Sequence, residues 1–308
     1  MPISRRRKRR DTKKNNRNNK KTKKNKEFIK DVCNVNNNSA EKFTCYTSEI
    51  LNRLKGSWNK KHPESEITYN DNLNIWKSLK DKLSYTCRQE SCWMRKLLFK
   101  YDTKKKLIND FFAPFAPSTW KKNPNEWLSS TDITRVMKQY EKKYNNFEFI
   151  GPSPIDYDAP MAYGECVWEE LCKFNLDKLI KRNLNKIGVI FNLDPHDKSG
   201  SHWVSLFIDL KSKTIYYFDS VGDKIPKQIK KFCNTVKKQG NLLGINFKFD
   251  EIHPNSHQKE DTECGIYSLY FITNMIKSVN IWNSLLKNGK ISDDEMEKYR
   301  KVYFNTVY

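Results

Sequence analysis

The 308-residue chain has no stretch of 18 consecutive apolar residues, so no segment reads as a membrane-crossing helix and no membrane partner is expected. Its first residues, MPISRRRKRR, have no apolar core behind their charges, which excludes a secretory leader. Without a leader, the eight cysteines read as free thiols in a reducing compartment, most of them core residues. No internal repeat is visible, which sets aside repeat architectures. Cys87 and Cys92 have no second cysteine pair beside them, and their spacing alone makes no zinc site. Pro254 breaks the helix that would put His253 and His257 on one face, so no metal is expected there either.

Acid is nearly missing from the first 26 residues. They hold 14 Lys or Arg against Asp11 alone, so +13 of the formal net charge of +22 sits there. Such a segment has no apolar surface to bury and is expected to be a disordered basic tail. It suits a solubilising role, a nuclear-import-like signal or a non-specific, salt-sensitive hold on nucleic acid.

What is present is enough for a core: 37% hydrophobic residues, with 13% aromatic. Residues 27–118 read as a helical N-terminal region, because SEILNRLKGSW, NLNIWKSLKDKLSY and ESCWMRKLLFKY space their apolar residues at three and four. FFAPFAPSTW breaks the helical pattern twice with proline and marks a boundary, leaving 119–308 as the second domain. There WLSSTDITRVMKQYEKKY predicts a helix with Ile133, Val136, Met137 and Tyr140 on one face. Strands are predicted at 186–193, 202–210, 214–220 and 245–252, the middle two joined as a hairpin. From Cys264 a helix apolar nearly all round follows, and such a helix is central and buried. Ser292 and the acids after it start the last helix. The fold class is α+β.

The stretch QKEDTECGIYSLYF turns from polar to apolar at Cys264. A thiol at a helix start feels unpaired N–H groups and the helix dipole, which favour thiolate. Gly265 behind it has no Cβ to obstruct a substrate backbone. A cysteine nucleophile needs a base, an orienter for that base and an oxyanion stabiliser. His202 begins one strand of the predicted hairpin and Asp219 ends the other, so they can meet diagonally as base and orienter. Gln258 lies six residues before Cys264 and can join the Cys264 backbone N–H as an oxyanion donor.

The His202-Trp203, Asp219, Gln258 and Cys264-Gly265-Ile266-Tyr267 series resembles the ubiquitin-like-protein (SUMO)-specific cysteine protease superfamily. The order of the four roles and their gaps of 17 and six residues agree with it. SGSHWVSLFID, YYFDSVG, QKEDTECGIYSLYFI and ISDDEMEKYRKVYF, with QESC upstream, look like the African swine fever virus type of polyprotein-processing protease found in large DNA viruses. The resemblance implies a papain-related fold, with a central mixed sheet, a buried nucleophile helix and a helical N-terminal appendage. It also implies hydrolysis after Gly-Gly or Gly-small sites in structural polyprotein precursors during virion maturation, in the virion and the host cytoplasm. Two tryptophans would wall the glycines: Trp203 by position, and Trp127 with less of the flanking motif retained. The chemistry requires no cofactor. The alternatives are a deubiquitinase or SUMO-deconjugating protease, an acyltransferase, or a basic nucleic-acid-binding virion core protein with idle catalytic residues.

Overall fold

All seven residues of the strand Trp203–Asp209 are buried, which puts it at the centre of a five-stranded sheet. In the computed structural model, which describes residues 27–37, 41–98 and 108–306, that sheet runs in sequence order. The strands are β1 (Phe147–Pro154), β2 (Lys186–Asn192), β3 (Trp203–Asp209), β4 (Thr214–Phe218) and β5 (Lys248–Glu251). The inner pairs are antiparallel and the outer pairs parallel, so the sheet is mixed. The basic tail on residues 1–26 lies outside the described residues.

Both faces of the sheet are covered, which explains why its inner strands are so apolar. On one face Val204, Leu206 and Ile208 join Val189 and Tyr217 and pack against the helix Lys227–Leu242 through Ile229, Phe232 and Val236. On the other, Trp203, Phe207, Ile190 and Phe218 meet the helix Cys264–Lys277. Gly188 lets that helix settle on β2: a Cβ there would come within 3.0 Å of the Ile272 side chain and the Phe147 ring. The polar positions of β3 do not form a wet face. Ser205 is buried, and Asp209 is buried and accepts the Ser212 N–H at 2.8 Å to hold the hairpin turn.

Two elements were not anticipated. β1 ends in GPSP, and prolines weaken a strand pattern, yet β1 is an edge strand, where a missing N–H is tolerated. The helix Lys227–Leu242 is lysine-rich and buries only the Ile229, Phe232, Cys233, Val236 and Gly240 stripe. The helix expected from Trp127 starts at Ser130. Ser129 caps it and exchanges hydrogen bonds with Asp132, and it buries the expected Ile133, Val136, Met137 and Tyr140. Trp127 and Leu128 are thereby left in the extended approach.

The N-terminal region is helical at Ser48–Lys61, Asn72–Leu83 and Glu90–Leu97, around Tyr46, Trp93 and Phe112. Its buried carboxylates are spoken for. Glu90 accepts the Cys45 N–H at 3.0 Å and the Trp76 indole N–H, and Asp31 accepts Ser91 N–H at 2.7 Å and Gln89 Nε2 at 3.0 Å. Gln89 also donates to the Thr306 carbonyl at 2.8 Å, while Asn305 donates to the carbonyls of Val32 and Ala113, both at 2.9 Å. The QESC stretch is thus a structural lock between the two ends of the described chain.

The free-thiol expectation fails for six cysteines. Cys33–Cys45, Cys87–Cys92 and Cys166–Cys172 are disulfides, and only Cys233 and Cys264 are free. A compartment argument takes no account of proximity, and the paired cysteines lie at Cα separations of 5.2, 5.5 and 6.7 Å. Those separations fall within the roughly 4.4–6.8 Å that a disulfide bridges.

Glu90→Ala orphans the buried Cys45 N–H and the half-buried Trp76 indole N–H and should lower unfolding free energy by about 3 kcal/mol, measured by urea denaturation, with Glu90→Gln costing clearly less. Equal losses for the two variants would rule out the acceptor role.

Candidate active site

The hairpin register decides where the first two polar groups meet. Leu206 pairs with Tyr217 and Ser205 with Phe218. One further step sets Asp219 opposite Val204, a diagonal neighbour of His202 on the same face. His202 Nε2 and Asp219 Oδ1 lie 2.8 Å apart, with Asp219 almost fully buried. The same carboxylate oxygen accepts the Val221 N–H at 3.0 Å, so its position is fixed by backbone as well.

Cys264 opens the buried helix and lies close enough to the His202 ring to raise its pKa. Since Nε2 faces Asp219, Nδ1 is the nitrogen left for the sulfur. Burial works against an imidazolium here. The hydrogen bonds and negative charges of Asp219 and Cys264 outweigh it, and the His202 pKa is pushed up to about 10. At neutral pH the ring therefore holds its proton, beside Asp219 and Cys264.

Gln258 is buried, and its amide is oriented by two bonds. Ser220 Oγ donates to Gln258 Oε1 at 2.6 Å, and Gln258 Nε2 donates one hydrogen to the Glu260 carbonyl, leaving its second for another acceptor. Ser220 follows Asp219 directly, and its carbonyl accepts the backbone N–H groups of His257 and Gln258 at 2.9 and 2.8 Å. One residue thus couples the strand that carries Asp219 to the loop that carries Gln258. His257 pins the same loop: its Nε2 donates to the Leu286 carbonyl at 2.7 Å and its Nδ1 accepts the Ile291 N–H at 3.0 Å. Burial lowers the His257 pKa, although the Leu286 carbonyl opposes the shift, so this ring is neutral. Ser220 was not singled out from sequence, and His257 was weighed there only as a metal ligand. A serine after an aspartate and a histidine in a polar loop carry no periodic signal.

A cleft of about 620 Å³ runs up to these residues without including them; Trp127, Leu128, Trp203, Gly200 and Trp168 are among its walls. Trp203 is nearly buried, and its indole N–H donates to the Leu128 carbonyl at 2.9 Å. Trp127 is 44% exposed, so one indole is anchored and the other presents a face to solvent. Gly265 differs from its expectation. The space a Cβ would take lies 3.0 Å from Leu128 Cβ, so this glycine admits the Trp127–Leu128 segment against the helix, rather than a substrate backbone directly.

The chain matches the model of the Ulp1 protease family, C-terminal catalytic domain, over residues 131–308. It is similar to a thiol protease of Acanthamoeba polyphaga mimivirus, 29% identical over 294 residues that cover 89% of this chain and 93% of that one. It is also similar to a cysteine protease of African swine fever virus (strain Badajoz 1971 Vero-adapted), 28% identical over 284 residues, 86% of this chain and 97% of the relative. The crystal structure of an African swine fever virus protease shares the fold, with a TM-score of 0.63 and 21% identity over 90% of this chain and 96% of that one.

The raised His202 pKa means that the ring stays protonated as pH rises and loses its proton only near pH 10. The kcat/KM profile should therefore keep its alkaline limb close to pH 10. Asp219→Asn should lower kcat/KM by about two to four orders of magnitude and bring the limb down toward the ordinary imidazole value, roughly 6.5. A wild-type limb already near neutrality would refute the raised His202 pKa.

Proposed function

The chain belongs to the Ulp1 protease family and is a cysteine protease acting on proteins, and from that premise we propose an endopeptidase that cuts structural polyprotein precursors after Gly-Gly or Gly-small sites during virion maturation, in virions and host cytoplasm. The observation that carries the chemistry is the His202–Asp219 contact at 2.8 Å, with Cys264 at a helix start beside the same ring.

In this mechanism the Cys264 thiolate attacks the carbonyl carbon of the residue before the scissile bond, and the carbonyl electron pair moves onto oxygen. Gln258 Nε2 and the Cys264 backbone N–H stabilise that oxyanion, with Ser220 holding the amide so that nitrogen faces the charge. The intermediate collapses by breaking the C–N bond, and the His202 imidazolium gives its proton to the leaving amine. Neutral His202 then takes a proton from water, whose oxygen attacks the thioester. The product acid leaves, and the thiolate–imidazolium pair is restored. Asp219 keeps Nε2 engaged throughout, so Nδ1 always faces sulfur and substrate.

The preference for glycine rests on the Trp127 and Trp203 indoles beside Gly200 at the cleft mouth. Two flat rings leave a slot in which a Cβ is an obstruction. The viral scope is supported by alignment with viral proteases over 93% and 97% of their lengths. The basic tail, with its +13, would add a sequence-blind hold on nucleic acid on the same reading.

A second reading, removal of ubiquitin-like modifiers, is favoured by the family name and by the African swine fever virus relatives called SUMO-1 cysteine proteases. The two part on one assay. Wild-type and Cys264→Ala protein are incubated with Gly-Gly-X and Gly-Ala-X peptides, beside fluorogenic SUMO and ubiquitin C-terminal substrates. Cleavage of the Gly-Gly-X peptide by the wild type alone is the expected result. Turnover confined to the modifier substrates would replace the polyprotein reading with deconjugation.

A further inference from the structure

The last described helix, Asp293–Tyr303, carries a buried cation that the catalytic chemistry does not use. Arg300 faces Glu263, the residue immediately before Cys264. Its Nε lies 2.9 Å from both Glu263 carboxylate oxygens, and an Nη lies 2.7 Å from one of them. Arg300 is 5% exposed and Glu263 1%. The guanidinium has two further acceptors, both backbone. Nη1 donates to the Glu126 carbonyl at 2.8 Å and Nη2 to the Thr262 carbonyl at 3.4 Å, while the Trp120 ring lies 4.6 Å from the guanidinium carbon.

Those acceptors lie on two different segments of the chain. Glu126 precedes Trp127 and Leu128, which form one wall of the cleft. Thr262 and Glu263 precede the nucleophile. A planar group with a fixed fork of donors holds both segments at a set spacing, which a flexible ammonium with three donors on one atom cannot reproduce. The Trp127–Leu128 segment is held at two further points, the Trp203 indole at 2.9 Å on the Leu128 carbonyl and the packing of Leu128 on Gly265. Charge adds to this. A carboxylate buried beside Cys264 without its counter-ion would oppose formation of a thiolate.

We propose that Arg300 is a positioning residue that sets the width of the glycine slot by tying the Trp127 wall to the nucleophile's approach. The inference deepens the endopeptidase reading above and rests on it for the role of the slot. The stretch ISDDEMEKYRKVYF carries part of the family resemblance, but nothing in it gives Arg300 a role, because the residue lies 36 positions after Cys264 on a helix that supplies no reacting group.

The test uses the full chain as wild type, Arg300→Lys and Glu263→Gln, each checked for wild-type circular dichroism. It reads kcat and KM on Gly-Gly-X and Gly-Ala-X peptides, and the rate of Cys264 alkylation by iodoacetamide, followed by mass spectrometry. Arg300→Lys should lower kcat/KM on the Gly-Gly-X peptide by about a hundredfold, mainly in kcat, as expected for displacement of reacting groups by about an ångström. It should also shrink the Gly-over-Ala ratio severalfold and slow alkylation. Glu263→Gln leaves both carbonyls held by Arg300 and should keep the ratio. A folded Arg300→Lys enzyme with an unchanged ratio and alkylation rate overturns the inference. So does a collapse of the ratio in folded Glu263→Gln, a result that holds even if Arg300→Lys proves unstable. A wild type that does not distinguish glycine from alanine instead removes the slot reading, and the alkylation rates then decide on their own whether Arg300 positions the nucleophile.

Discussion

The close packing of the helix Cys264–Lys277 on β3 is the constraint from which the rest follows. Twelve of its residues are buried, so the helix is wedged between the sheet and the outer helices and has no freedom to shift along its axis. Its first residue is therefore a fixed point. His202 directly precedes β3 and Asp219 directly follows β4, so all three groups are placed by backbone elements rather than by long loops. A site built this way keeps its spacing through interior packing, which tolerates little displacement.

The polar groups obey the same economy. His202 is held between Asp219 and Cys264, Gln258 between Ser220 and Glu260, and His257 between Leu286 and Ile291. Each is buried or nearly so, and each has its partners on different elements. Loss of one partner would leave a desolvated polar group, which costs more than the bond itself contributes. The two histidines show how environment sets charge. His257 is buried and His202 half-buried, but His202 faces a carboxylate and a thiol, which raise it. His257 faces a carbonyl and an N–H, so the burial that lowers its pKa prevails.

Much of this was legible in sequence because it is written in local pattern. Alternation over 202–210 and 214–220, with a three-residue turn, gave the hairpin and hence the diagonal contact of His202 with Asp219. The all-round apolar helix after Cys264 gave the central element. What escaped was set by tertiary context. β1 was hidden by its prolines, the helix Lys227–Leu242 by its lysines, and the three disulfides by a compartment argument that does not consider proximity. Ser220, Glu263 and Arg300 carry no periodic mark at all. The importance of Ser220 comes from the loop it touches, and that of Arg300 from two carbonyls in segments 174 and 38 residues away.

The N-terminal helical region fits into this picture through the chain's end. Asn305 bonds to Val32 and Ala113, and Gln89 to Thr306, immediately beyond the helix that bears Arg300. Arg300 in turn reaches Glu263 and Glu126. Hydrogen bonds, joined by the short stretch of chain from Arg300 to Thr306, therefore connect the QESC lock, the C-terminal helix, the Glu126–Leu128 segment and the approach to Cys264. Asp31 and Glu90 lie at their far end, and burial raises the pKa of both. Both sit in the N-terminal region, and Asp31 braces Gln89 and through it the Thr306 end of the chain, just beyond the helix that bears Arg300. The appendage is in that sense part of the frame of the site, and its removal would expose the underside of Asn305 and loosen the seat of Arg300 before it touched any reacting atom.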